Sequence, residues 1–120
     1  MNLHVHCNGL IATTELRRHL ERRLVFALGR FDHEVGRIVV RLADLNGPKG
    51  GIDKFVTLRV LGRRLKTLVV TDTDADLFVA IDRAAERLGR ALGRALARMH
   101  PRRRASRVLL PERARTPRRR

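Results

Sequence analysis

Residues 72–99, DTDADLFVAIDRAAERLGRALGRALARM, decide the fold because they hold the longest helical pattern of the chain. Apolar residues recur there in steps of three and four, which places them on one side of an α-helix. Asp72, Thr73 and Asp74 at the start of the stretch are favourable helix caps. We therefore predict a helix over about residues 75–99 that packs one side on a core. Its apolar face consists of Leu77, Ile81, Ala84, Leu88, Leu92, Ala95 and Met99.

The same stretch has a second pattern, made of arginines. Five of them follow steps of four, three, four and four, which places them within a band of roughly 80° around a helix. Glu86 stands four residues before Arg90 and is placed for a surface ion pair, but no acid falls inside the band itself. Adjacent guanidinium groups repel one another, so a row of phosphates would stabilise the band; the alternative is an ordinary solvated surface. This arginine stripe consists of Arg83, Arg87, Arg90, Arg94 and Arg98.

The chain before this helix predicts four strands and one shorter helix. Leucine recurs every four residues from Leu16 to Leu28, the spacing of a helix face. Thr13 or Thr14 is placed to cap this helix of about 15 residues, and Gly29 ends it. Alternation of apolar and polar residues and turn residues between them predict the strands. They are expected at residues 3–7, 38–42, 54–61 and 65–71, with a turn at Gly62-Arg63 between the last two.

The order of the predicted elements is β-α-β-β-β-α. A four-stranded sheet with both helices packed on one face makes this a two-layer α+β domain. Residues 1–100 are long enough to bury such a core, with a glycine-rich loop at residues 46–51. The other face of the sheet is then left to solvent or to a partner.

Charge points to the class of partner. The chain of 120 residues has 27 lysines and arginines against 12 acids, a formal net charge of +15. Such an excess indicates a polyanion, with nucleic acid as the first candidate. Four phenylalanines and no tryptophan or tyrosine argue against a platform for stacked bases, which leaves phosphate charge and shape. Residues 101–120 hold nine arginines and one acid, and we expect this tail to be disordered when free.

Several functional classes find no support. The apolar runs are too short to span a bilayer, and the first residues do not form a secretory signal. The single cysteine, Cys7, allows no intrachain disulfide and suits a reducing cytoplasm. No nucleophile with its base is evident, so an enzyme, a cofactor and a small-molecule substrate are not expected.

Metal binding is not expected either. His4 and His6 share one strand face, whereas Cys7 points to the other, so the three do not converge on an ion. The acids at residues 72–76 lack the glycine and glutamate of a calcium loop and are better explained by helix capping.

Residues 76–82, DLFVAID, resemble the start of the second helix in the ribosome hibernation promoting factor family, which includes ribosome-associated inhibitor A. The family segment reads Asp-Met-Tyr-Ala-Ala-Ile-Asp, and the resemblance extends over about residues 1–98 in a short, single-domain form. Family members carry lysine or arginine at the positions of Arg87, Arg90 and Arg94, and commonly a basic residue at Arg23.

The resemblance implies a function and a β-α-β-β-β-α fold. Family members bind the small ribosomal subunit in the channel used by messenger and transfer RNA, and reversibly silence ribosomes of stressed or stationary cells in the cytoplasm. Their helices present basic side chains to ribosomal RNA, and nothing in the mechanism is catalytic. The ribosomal RNA-binding residues implied here are Arg22, Arg23, Arg83, Arg87, Arg90, Arg94 and Arg98.

Alternatives remain open at this point. The resemblance does not decide whether the protein silences single ribosomes or also pairs whole ribosomes into dimers, because the tail is too short for the extra domain of long family members. A general RNA- or DNA-binding module is a second interpretation. A protein-interaction regulator resembling a sigma-factor modulator is a third.

Overall fold

The structure is a computed structural model that describes residues 2–45 and 53–99. The predicted loop at residues 46–51 and the arginine-rich tail at residues 101–120 lie outside the described residues. The order of elements is β-α-β-β-β-α, as the sequence predicts. The elements are β1 (Asn2–Asn8), α1 (Thr14–Leu28), a short 3-10 helix (Gly29–Glu34), β2 (Val35–Asp44), β3 (Lys54–Gly62), β4 (Leu68–Asp74) and α2 (Leu77–Met99).

The four strands form one mixed sheet in the order β1-β2-β3-β4. β1 and β2 run parallel, and the other neighbours are antiparallel. Parallel neighbours need a long crossover, which α1 and the 3-10 helix provide. The antiparallel pairs β2–β3 and β3–β4 need only shorter connections.

The core lies between the sheet and the helices. At the centre of β2 and β3 every second residue is apolar and buried, because successive side chains of a strand point to opposite faces. The four leucines of α1 and the apolar side of α2 complete the same cluster. The predicted two-layer α+β architecture, with both helices on one face of the sheet, is therefore confirmed.

Gly89 of α2 packs closely against α1. A Cβ atom at this position would lie 3.0 Å from the backbone oxygen of Ala27 in α1. Glycine inside a helix costs roughly 0.5–1 kcal/mol relative to alanine. Here the missing side chain allows the backbones of α1 and α2 to pack together.

The N-termini of the helices differ in how well they were predicted. Thr13 caps α1, since its Oγ1 accepts a hydrogen bond from the Leu16 amide at 3.1 Å. For α2 the predicted start at residue 75 is wrong: the helix begins at Leu77. Asp76 is the cap, and its Oδ1 accepts a hydrogen bond from the Phe78 amide at 2.9 Å.

The predicted bounds of β4 also need correction. The strand begins at Leu68 rather than Leu65 and continues to Asp74, because residues 72–74 pair with residues 54–56 of β3. Asp72, Thr73 and Asp74, which the sequence predicted to be helix caps, therefore belong to β4 and pair with β3. The predicted turn at Gly62-Arg63 was too short, since Gly62 still pairs with Val35 of β2.

Candidate nucleic-acid interface

The five side chains of the arginine stripe are all exposed on α2. The two nearest the start of the helix extend over the neighbouring strand β4. Nη2 of Arg83 donates hydrogen bonds to the Thr73 carbonyl at 2.7 Å and to Asp72 Oδ1 at 3.0 Å. Nη1 of Arg87 donates to the Thr71 carbonyl at 3.0 Å and to Asp72 Oδ2 at 3.2 Å. The strand thus holds two guanidinium groups in defined positions.

No acid falls inside the helical band, but β4 supplies acid partners to it from outside α2. Asp72 pairs with Arg83 and Arg87, and Asp74 adds a contact to Arg83 at 3.3 Å. Helix periodicity could not reveal these partners, because they belong to β4 and reach the stripe only when the layers pack. The hydrogen bond from Arg83 holds the pKa of Asp72 below its usual range, so this carboxyl is ionised at neutral pH.

The ion pairing of the arginine stripe changes along α2. Arg90 pairs with Glu86 at 3.5 Å, which confirms the predicted surface pair. Arg94 and Arg98 have no ion-pair partner among the described residues. Pairing thus decreases from the start of the helix to its end, where the charge is not offset by neighbouring acids. The end of α2 is accordingly the part of the stripe with the strongest positive potential.

The predicted arginines of α1 also occupy two different environments. Arg22 is exposed and has no ion-pair partner in the described part of the chain. Nε of Arg23 lies 3.2 Å from Asp82 Oδ1 of α2, and Nε2 of His19 lies 2.7 Å from the same oxygen. Asp82 therefore joins the two helices. The outer surface of the helix layer combines Arg22 and Arg23 with the arginine stripe, and we refer to it as the helix-layer surface.

Phe26 is a feature of this surface that the residue counts missed. Its side chain is 83% exposed on α1, and the guanidinium carbon of Arg23 lies 5.7 Å from the centre of its ring. A low aromatic content argues against many stacked bases but does not bear on a single exposed ring. The signal in the sequence is that Phe26 falls outside the four-residue leucine repeat of α1, and is therefore apolar without belonging to the core face.

Metal and membrane sites can be assessed in the same residues. His4 and His6 are exposed, whereas Cys7 is half-buried on the core side and burial raises the pKa of its thiol. Within residues 2–45 and 53–99 no cluster of three or more histidine, cysteine or acidic side chains is arranged to hold a metal ion. Neither α1 nor α2 is long and apolar enough to cross a lipid bilayer.

Fold and surface together define a class: a small two-layer α+β domain whose helices expose a basic surface suited to a polyanion. The sequence matches the family described as sigma 54 modulation protein / S30EA ribosomal protein over residues 3–100, and the chain belongs to this family. The resemblance found in residues 76–82 is thereby confirmed. The family is one of ribosome-associated factors.

Two solved structures are similar to this chain. The N-terminal domain of Protein Y from Thermus thermophilus is 27% identical, with a TM-score of 0.65, covering 78% of this chain and 98% of that one. A ribosomal subunit interface protein from Coxiella burnetii is 18% identical, with a TM-score of 0.70, covering 81% of this chain and 99% of that one. The second likeness supports the fold alone. Among curated proteins, none matches the sequence.

Proposed function

We propose that this protein binds ribosomal RNA of the small subunit, in the channel used by messenger and transfer RNA, and thereby silences ribosomes in the cytoplasm. Family membership supports the ribosome as the partner. The observation that carries the proposal is the helix-layer surface, which places the arginines of α1 and α2 on the exposed side of one layer. Bound there, the domain would exclude messenger and transfer RNA by occupying their space.

The chemistry of the surface fits phosphate better than bases. Guanidinium groups form two parallel hydrogen bonds with phosphate oxygens, and the strength of such contacts falls steeply with salt. Arg83 and Arg87 are already positioned by β4, so they lose less side-chain freedom when they bind. Arg94 and Arg98 bring charge that no described acid offsets. RNA shape rather than base sequence would then determine where the protein binds.

Sedimentation of cell extract through a sucrose gradient tests the partner. The proposal expects the protein to migrate with small subunits and whole ribosomes at low salt, and to be released at high salt. Absence from ribosomes together with binding to nucleic-acid duplexes in vitro would favour a general nucleic-acid-binding module. A protein complex that persists at high salt after nuclease treatment would favour a regulator of another protein.

Charge reversal tests the surface. Reversing Arg87 is a poor choice, because a glutamate there would face Asp72 and disturb the fold. Arg90→Glu with Arg94→Glu disturbs the fold less, because the acid partner of Arg90 is the exposed Glu86 of the same helix, and this variant should abolish co-sedimentation without unfolding the domain. Arg63→Glu with Lys66→Glu is the matched control, since both side chains are exposed on the β3–β4 connection and the charge changes equally. Loss of binding in both variants alike would argue against a specific role for α2.

A further inference from the structure

The face of the sheet opposite the helices carries a second basic surface. Arg37 and Arg41 lie on β2 four residues apart, so both point to this face. Val39 between them pairs with Arg59 of β3, which places Arg59 diagonally next to both. Diagonal neighbours on adjacent strands have their Cα atoms roughly 7–8 Å apart. The Cα atoms of the three arginines thus form a triangle at the middle of the sheet, and we call these residues the open-face triad.

Two histidines extend this surface onto β1. His4 pairs with Val39 and His6 pairs with Arg41, so both imidazoles stand in the same rows as the triad. Both side chains are exposed. The outward positions of β1 and β2 thus provide two arginines and two ring donors on adjacent strands.

The described residues of the four strands place no acid on this face. None of the outward positions of the four strands holds an aspartate or a glutamate. The acids of β4 occupy the opposite side, where Asp72 contacts α2. Within the described part of the chain, Arg37, Arg41 and Arg59 accordingly have no ion-pair partner. This differs from the arginine stripe, where Arg83, Arg87 and Arg90 all have one.

The remaining side chains of the face suit the backbone of a nucleic acid. Thr57 and Thr71 stand opposite each other, with their hydroxyl oxygens 3.4 Å apart, and hydroxyls donate readily to phosphate. Val69 is 57% exposed and offers apolar contact to sugars. Phe55 is the single phenylalanine at the outward positions of the four strands, and none of these positions holds tyrosine or tryptophan, so the face is not rich in the rings that stack several bases.

We propose that the open-face triad is a second anion-binding site for the phosphate backbone of RNA, so that the domain holds RNA on both of its sides. Charge complementarity favours RNA over the other two candidates, which are the tail of this chain and a second copy of the chain. The tail has nine arginines and one acid, and a second copy of the chain would present the same positive face, so both would be repelled. Phosphates would relieve the mutual repulsion of three arginines that have no acid partner in the described residues.

The test neutralises the triad and compares two RNA probes. The variant is Arg37→Gln, Arg41→Gln and Arg59→Gln, and its thermal unfolding midpoint checks the fold. The control is Arg63→Gln, Arg64→Gln and Lys66→Gln, which removes the same charge from the β3–β4 connection. Arg64 pairs with Glu34 at 2.8 Å, so the thermal unfolding midpoint of the control is measured as well. Dissociation constants are measured over a salt series with purified small ribosomal subunits and with an RNA duplex of about 16 base pairs.

The salt dependence of RNA binding should change more in the triad variant than in the control. Each lost phosphate contact lowers the slope of log affinity against log salt by about 0.7–0.9. Loss of three contacts should therefore lower the slope by roughly 2–3 and weaken binding by about tenfold or more at low salt. The control should lower the slope by less than about 1. An unchanged slope in the triad variant, or equal changes in both variants, would overturn the proposal.

The two probes separate this proposal from the proposed ribosome function. If the wild-type protein fails to bind small subunits but the triad variant loses slope on the duplex, the ribosome proposal fails and the open-face site remains. If small-subunit binding depends on Arg90 and Arg94 but not on the triad, the open-face site fails and the ribosome proposal remains. A wild-type protein that binds neither probe contradicts both.

Discussion

The two sides of this domain are both basic, but they are built differently. On the helix-layer surface, Asp72, Asp74 and Glu86 pair with arginines of the stripe. On the open face of the sheet, the described residues include no acid beside Arg37, Arg41 and Arg59. Acid partners fix the positions of guanidinium groups and reduce the local charge, whereas unpaired groups retain their charge and their freedom. Two surfaces with similar numbers of arginines therefore differ in charge and in side-chain order, which arginine spacing alone does not show.

The variant of the arginine stripe should have the greatest effect. Arg90→Glu with Arg94→Glu should weaken small-subunit binding by about 100-fold at low salt, because the charge of the stripe changes by four units. Neutralising the open-face triad should have the smaller effect, about tenfold. Dissociation constants at one salt concentration give this ranking. A reversed ranking would make the sheet, rather than the helices, the principal RNA surface.

A second prediction tests the close contact between α1 and α2, which holds the two halves of the helix-layer surface together. Gly89→Ala should lower the free energy of unfolding by about 1–2 kcal/mol, because the new Cβ meets the Ala27 carbonyl at 3.0 Å. Gly93→Ala is the control, since its Cβ would meet only Phe31 at 3.5 Å. Alanine there should stabilise the protein by about 0.5–1 kcal/mol through helix propensity. Urea denaturation measures both changes, and equal signs would contradict the close approach at Gly89.

A third prediction concerns the acid that positions the stripe. Asp72→Asn should lower the free energy of unfolding by about 1 kcal/mol at pH 7, because the ion pairs to Arg83 and Arg87 are lost. The folded pKa of Asp72 is lowered, so its contribution is present above the unfolded pKa and is lost as pH falls through the folded pKa. The difference in free energy of unfolding between Asp72→Asn and the wild-type protein should thus become smaller in strong acid.

The control for this experiment is Asp76→Asn, which removes one negative charge but keeps a good helix cap. Its stability should stay within about 0.5 kcal/mol of wild type. Thermal unfolding followed from pH 7 down to pH 2 compares the two variants. A difference for Asp72→Asn that does not depend on pH would show that its ion pairs do not stabilise the fold.

The smallest expected effect is on the stability of the sheet. Arg59→Gln should change the free energy of unfolding by less than about 0.5 kcal/mol and not lower it, since the residue is exposed and stands diagonally next to two like charges. Arg83→Gln should destabilise the protein measurably, because Arg83 donates hydrogen bonds to Asp72 and to the Thr73 carbonyl of β4. Chemical denaturation that gave equal losses for both would contradict the contrast between the two surfaces.

Most of the architecture was predictable because it depends on local periodicity. Leucine at every fourth position of α1 and alternation in the strands predicted the elements and their order. The ends of β4 and α2 were not predictable in this way. Asp72 and Asp74 are good helix caps in isolation, and only pairing with β3 shows that they belong to a strand.

Some features of the candidate site were likewise predictable from local sequence, and others were not. The positive charge, the arginine spacing on α2 and the family resemblance at residues 76–82 follow from the sequence alone. Which arginines have acid partners depends on tertiary packing, because the acids of β4 reach α2 only when the two elements pack together. The tertiary structure also brings Arg37, Arg41 and Arg59 together, since strand register is a property of paired backbones and not of either strand alone.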